Sequence, residues 1–136
     1  MKALLFAAHG DTDVLQYTET KDPQARADDA IVRVHASALN RIDVIQRAGT
    51  YTVPGFQLPH IGGLDIAGEI VYLGANAAKS SSWQIGDRVL VNPSLSNVSA
   101  ASTLCNRGDI HGELGVIGIN APGGHAEMCV APASHL

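Results

Sequence analysis

The chain has 136 residues and a formal charge of -4, from 9 Lys and Arg against 13 Asp and Glu. That is one domain's length, enough to bury roughly two-thirds of the extended-chain surface, and the scattered cations give no electrostatic footprint for nucleic acid. No apolar run approaches the ~20 residues that a membrane span needs, and two cysteines, Cys105 and Cys129, cannot build a disulfide framework, so a cytoplasmic protein with unpaired thiols is expected.

Lys2 to Ala8 is a short apolar run with strand propensity, and the polar turn HGDTD carries it into the alternating segment Val14 to Thr20. Two antiparallel strands are the natural reading. After the acidic, proline-containing turn at 22–29, the segment AIVRVHASAL from Ala30 to Leu39 predicts a strand with at least one buried face. Asn40 opens a segment that closes at Ala48 and Gly49, with a capping side chain at its start, Asp43 in its first turn and glycine past its end. That pattern predicts a helix of about two turns. Asp43 either pairs with Arg47 four residues on, worth only ~0.2–0.5 kcal/mol, or caps the helix. Thr50 to Pro59 holds two prolines and a glycine and reads as a loop, a common site for side chains that meet substrate.

Pro59 to Gly74, PHIGGLDIAGEIVYLG, organises the chain. Gly62, Gly63 and Gly68 lie in or beside a β-rich run, where glycine marks a bulge, a bend or the close approach of another backbone. Asp65 stands between Leu64 and Ile66 and must be solvated, paired or hydrogen-bonded, because burying it bare costs several kcal/mol. The plainer reading makes it a structural carboxylate bonded to turn amides, and the sharper one makes the segment the floor of an active site. Ala75 to Trp83 reads as a polar turn, and Gly86 to Val91 as a further strand. Residues 93–122 form an excursion longer than compact domains usually carry without a function, after which Gly123 to Pro132 returns to strand character. Many short strands, frequent glycine turns and one short helix predict a mainly β, barrel-like domain.

Four segments in this order, ALNRIDVIQRAGTY, LPHIGGLDIAGEIVYLG, GDRVLV and GGHAEMCVAP, resemble the N-terminal GroES-like catalytic domain of the medium-chain dehydrogenase/reductase superfamily. That superfamily includes zinc-type alcohol dehydrogenases and quinone oxidoreductases, and the resemblance runs from Lys2 to Leu136. It implies one GroES-like domain over 1–136, a partly open β-barrel with one or two short helices and a lobe-like excursion at 93–122. Such a domain supplies the substrate side of a cleft, while a Rossmann domain further along holds NADPH or NADH. No G-x-G-x-x-G following a strand is found here. The expectation is therefore a deliberate fragment or a truncated gene product, with no cofactor of its own and no turnover by itself.

The metal positions of the zinc branch are altered. Where that branch carries G-x-C-x-x-D with a zinc-ligating Cys, this chain has Ala38, Asn40 and Asp43, and where it carries G-H-E it has Gly63, Leu64 and Asp65. A catalytic zinc takes three ligands from Cys, His or carboxylate plus an open position, so none is expected. The excursion keeps the four-cysteine spacing of a structural zinc lobe as Ser99, Ser102, Cys105 and Glu113, with Asp109 and His111 nearby. Hydroxyls at two corners do not make a closed thiolate site. The lobe reads as the relic of a zinc site, held by packing of Leu104, Ile110, Leu114, Val116 and Ile117.

The resemblance then points to the zinc-independent quinone oxidoreductase branch, acting on a small carbonyl, enone or quinone. It places Asn40 and Arg41 against the cofactor, and Asn40 and Tyr51 on the acceptor, with Asp43 and Asp65 as further candidates. Each has a plainer alternative: Asn40 a helix cap, Tyr51 a loop aromatic over the core, Asp43 and Asp65 structural carboxylates. His35, His60, His111, His125 and His135 read as surface or satisfied core residues, His9 lies in a turn with no evident role, and Cys129 reads as a small core residue. Two rival functions stay open: a zinc-type alcohol dehydrogenase-like carbonyl reductase, and a stand-alone binding module of co-chaperonin type. Whether the full-length form is a homo-oligomer also stays open. No nucleic acid or membrane partner is expected.

Overall fold

The computed structural model describes residues 1–95 and 115–136. In chain order the elements are β1 (Lys2–Phe6), β2 (Leu15–Glu19), β3 (Asp29–Ala38), α1 (Arg41–Arg47), β4 (His60–Ile61), β5 (Asp65–Leu73), α2 (Ala77–Ser80), β6 (Arg88–Val91), β7 (Ser94–Leu95), β8 (Gly115–Val116) and β9 (Met128–Pro132). The expected mainly β architecture is the one adopted. Two segments differ in detail. Ala75–Trp83, read as a turn, contains the single turn of α2, and the returning strand starts only at Met128.

One sheet has the order β2-β1-β4 and a second the order β6-β5-β3-β9, every pairing antiparallel. The segment 125–127 stitches them together. Leu4 N–H donates to the His125 carbonyl at 2.8 Å, Glu127 N–H to Lys2 at 3.0 Å, and Val34 N–H to Glu127 at 2.9 Å. These bonds partly close the two sheets into a barrel. Inside it lie Val32, Ile66, Ile70, Val89, Val91, Leu95, Ile117, Cys129 and Ala131, the inward members of the alternating strands. Burying such side chains is worth roughly 1.5–3 kcal/mol each before conformational entropy is set against it.

Gly68 sits where β3 and β5 slip register, between Val34 and Ala36. A Cβ there would lie 2.1 Å from the Arg33 carbonyl oxygen, so the close backbone approach expected from its place in a strand is real. The loop after α1 is pinned from two sides. Buried Asn120 donates from its side chain to the Pro54 carbonyl at 3.1 Å, and Phe56 packs among Phe6, His9 and His60 with ring centroids 4.9–6.3 Å away. The Leu58–Pro59 peptide is cis.

The excursion leaves and returns through β7 and β8, which pair with Ser94 opposite Val116 and Leu95 opposite Gly115. Ile117 is fully buried in the main core. The degenerate zinc positions Ser99, Ser102, Cys105 and Glu113 lie outside the described residues. Among the described residues no helix is long and apolar enough to cross a membrane.

Candidate active site

The exposed end of β3, the start of α1 and the turn into β5 converge at one edge of the barrel. β3 ends at Ala38, Asn40 holds extended backbone, φ -120° and ψ 160°, as the N-cap, and α1 begins at Arg41. The Asn40 side chain donates from Nδ2 to Asp65 Oδ2 at 2.8 Å. Asp65 therefore takes its hydrogen bond from a side-chain amide rather than from the turn amides expected of it. Asn40 and Asp65, two of the sequence candidates, are in direct contact.

Asp43 does not pair with Arg47. Arg47 donates instead to the Gly10 carbonyl at 2.7 Å and lies 3.6 Å from Asp11, while the Asp43 carboxylate is taken up at the first turn of α1. There its Oδ2 accepts from the Asn40 N–H at 2.7 Å and its Oδ1 from the Gly63 N–H at 3.1 Å. One carboxylate thus ties the first turn of α1 to the turn that leads into Leu64 and Asp65. Gly63 needs φ +98°, and a Cβ on it would lie 2.7 Å from His125 Nδ1. Glycine suits this position on both counts.

His125 is the residue that the sequence reading passed over. Its Nδ1 is 3.0 Å from Ser37 Oγ and its Nε2 is 3.6 Å from Asp43 Oδ1, with both Asp43 and His125 side chains about nine-tenths buried. Burial alone would raise the Asp43 pKa and is the largest single influence. The facing imidazole and the Asn40 and Gly63 amides together outweigh it and hold the carboxyl below its ordinary value of 3.8. Ser37 and His125 are 88 positions apart, and no local pattern links them. The one available hint is Gly123–Gly124 before His125, which admits close backbone packing against Gly62, Gly63 and Ile66.

Ser37, Ala38 and Asp65 line a hollow of about 330 Å³ together with the exposed side chain of Leu90. Leu64 is half-buried and Arg41 exposed. Tyr51 stands in the loop after α1, 41% exposed. Among the described residues no hydrogen bond joins it to Asn40 or Asp65. Of the candidates, Asn40, Asp43 and Asp65 therefore form one network, and Tyr51 and Arg41 stand outside it.

At the positions that the resemblance assigns to the zinc branch, the side chains differ from metal ligands. The position of a thiolate is filled by an amide whose nitrogen is committed to Asp65, and the position of an imidazole by the hydrocarbon of Leu64. Among the described residues no cluster of three His, Cys, Asp or Glu side chains could hold a metal ion.

The sequence profile of the alcohol dehydrogenase GroES-like domain matches residues 26–136. The chain is 34% identical over 95 residues to the chloroplastic NADPH-dependent alkenal/one oxidoreductase of Arabidopsis thaliana, across 69% of this chain and 24% of that protein. It is 35% identical over 88 residues to a quinone oxidoreductase of Pseudomonas aeruginosa, across 65% of this chain and 26% of the relative. A solved NAD-dependent alcohol dehydrogenase superposes with a TM-score of 0.80 at 30% identity, over 97% of this chain and 37% of that one. The chain spans about a quarter of the length of these two curated relatives.

Proposed function

The chain belongs to the family of alcohol dehydrogenase GroES-like domains, and from that premise we propose that it is the substrate-side domain of a zinc-independent, NADPH-dependent reductase of enones or quinones. The observation that carries the reading is the Asn40–Asp65 hydrogen bond beside Leu64. The edge at which the zinc branch would place a metal is built here from an amide, a carboxylate and a hydrocarbon.

NADPH, when bound in the complete enzyme, supplies the hydride. The chain's own part is positioning. Asp65 fixes the plane of the Asn40 amide, and Asp43 fixes the backbone from which that side chain springs. An amide held this way orients an acceptor carbonyl or the carboxamide of the nicotinamide without reorganising during reaction. Tyr51, on a loop pinned through Pro54 and Phe56, can donate its phenolic hydrogen to the acceptor oxygen once the cleft is complete. Leu90, Ala67 and Val91 give the hollow an apolar wall suited to the carbon skeleton of an unsaturated substrate.

A second reading is an alcohol dehydrogenase-like reductase of simple carbonyls, favoured by the NAD-dependent alcohol dehydrogenase among the structural neighbours. The two separate in one experiment. NADPH oxidation by the complete reading-frame product is followed with 1,4-benzoquinone, an α,β-unsaturated aldehyde and a saturated aldehyde, with and without chelator, alongside elemental analysis. Chelator-insensitive reduction of the first two supports the proposal. Stoichiometric zinc with chelator-sensitive turnover of the saturated aldehyde replaces it with the second reading. The 136-residue chain alone is expected to be inactive, and native mass spectrometry showing a ring of copies would favour a co-chaperonin-like module instead.

A further inference from the structure

Buried polar groups are nearly always partnered, and His125 Nε2 is an exception: it is fully buried with no hydrogen-bond partner, and the nearest acceptor is Asp43 Oδ1 at 3.6 Å. Its other nitrogen is held by Ser37 at 3.0 Å. The hydrogen bond at one ring nitrogen decides what the other carries. With Ser37 donating its hydroxyl to Nδ1, the proton of the neutral ring sits on Nε2 and faces the carboxylate. In the imidazolium form Nδ1–H donates to Ser37 Oγ, and Nε2–H still faces Asp43. In either state an N–H is aimed at the oxygen that also accepts from Gly63.

We propose that His125 is a positioning residue for the Asn40–Asp65 pair, acting through Asp43. The chain of contacts is short. His125 faces Asp43 Oδ1, the same oxygen holds the Gly63 N–H, and Oδ2 holds the Asn40 N–H. Gly63 is two residues before Asp65, and Asn40 is its hydrogen-bond donor. Both segments that carry the pair are therefore referenced to one carboxylate, and His125 with Ser37 behind it sets where that carboxylate stands. Nothing bulkier than glycine fits between them, since a Cβ on Gly63 would meet His125 Nδ1 at 2.7 Å and its backbone nitrogen at 2.8 Å.

The imidazole's charge state then reaches the edge of the barrel. The groups around it are Asp43 of α1, Ser37 of β3, Lys2 of β1, Tyr17 of β2 and its neighbour Glu127, the last three sharing an open hollow with it. His60 of β4 also lies within electrostatic reach of Asp43. Of these, Asp43 is the buried charge facing Nε2, so protonation of His125 strengthens the tie to Asp43.

The role attributed to the pair rests on the proposed function, whereas the coupling does not, and NMR of the 136-residue chain reads the coupling alone. The carboxyl carbon of Asp43 and the amides of Asn40 and Gly63 are followed against pH in the wild type, His125→Phe, His125→Gln and Ser37→Ala. In the wild type the Asn40 and Gly63 amides should shift along with the His125 titration. In His125→Phe the Asp43 midpoint should move up and that inflection vanish. His125→Gln, which keeps a donor without a charge, should restore part of the Asp43 shift and none of the inflection. Ser37→Ala should leave both Asp43 hydrogen bonds in place. An unchanged Asp43 midpoint in a folded His125→Phe protein overturns the proposal. Should that variant fail to fold, wild-type amides at Asn40 and Gly63 that ignore the His125 titration overturn it equally. Zinc found in the complete enzyme would defeat the functional reading and leave these titrations as expected.

Discussion

Asn40 and Asp65, 25 positions apart, are joined by a 2.8 Å hydrogen bond from the amide of one to the carboxylate of the other. The amide nitrogen at the N-cap of α1 is directed outward to Asp65, while Asp43, in the first turn, accepts the Asn40 N–H. Stability falls to Asp43, and the proposed positioning of the Asn40 amide to Asp65.

Asn40→Ala should therefore cost less than about 1 kcal/mol, below a typical lost cap, because an exposed hydrogen bond is removed. Asp43→Ala should cost about 3 kcal/mol, since it removes a largely buried carboxylate and leaves the Asn40 and Gly63 amides without their acceptor. Urea unfolding of both variants checks the ordering. On the proposed function, Asp65→Asn in the complete protein should lower kcat/KM about tenfold with little change in stability, the size expected for loosening one positioning contact by ~1.4 kcal/mol.

Gly63→Ala should destabilise by about 2–3 kcal/mol, combining a positive φ with a clash against the His125 ring and backbone. Gly86, with a similar φ of +97° and open space around it, is the control. Gly86→Ala should cost only the backbone part, about 1 kcal/mol. Thermal unfolding of the pair separates conformation from crowding.

His60 gives the domain a pH dependence of definite sign. Burial pushes its pKa below the ordinary 6.5, and its hydrogen bond to the Gly118 carbonyl and the nearby Asp43 only partly oppose that. The unfolded chain takes up this proton first as pH falls. The contribution of a neutral His60 is thus complete above 6.5 and declines as pH drops from 6.5 towards the folded-state value. Asp43 acts lower on the scale: its pKa is depressed, so its contribution is complete above 3.8 and is lost as pH falls through the folded-state value. Urea midpoints at pH 7.5, 6 and 5 should fall in that order, and His60→Gln should flatten the fall.

Cys129 should be inert in the native state. It is 2% exposed, and burial pushes its thiol up to about 12, leaving almost no thiolate at neutral pH. Mass mapping after brief treatment with an aromatic disulfide should find Cys129 unmodified in native protein and modified in urea. Modification of Cys129 in the native state within minutes would contradict its place in the core.

Strands were legible wherever one face alternates, as in Ala30–Leu39, and the start of α1 from Asn40, Asp43 and Gly49, because these signals are local. The partners of Asp43 were not. Helical spacing suggested Arg47, but side-chain direction on a two-turn helix is settled by what the barrel offers, and Gly63 and His125 are contributed from far along the chain. His125 lacked any neighbour at a telling spacing, since its contacts depend on how 125–127 is stitched between β1 and β3. Asp65 stood out as a charge between Leu64 and Ile66; it is exposed at the barrel edge, and its partner is Asn40 rather than the turn amides.

The short ladder of β7 and β8 places Leu95 directly opposite Gly115. The chain departs from and rejoins the barrel at adjacent points, Leu95 and Gly115, which bound the intervening sequence. Its length and composition can drift with little consequence for the register of β6 or β9, much as a cartridge can be exchanged without rebuilding its holder. Substitutions in that segment can then accumulate while the barrel, and the edge that carries Asn40 and Asp65, goes on folding as before.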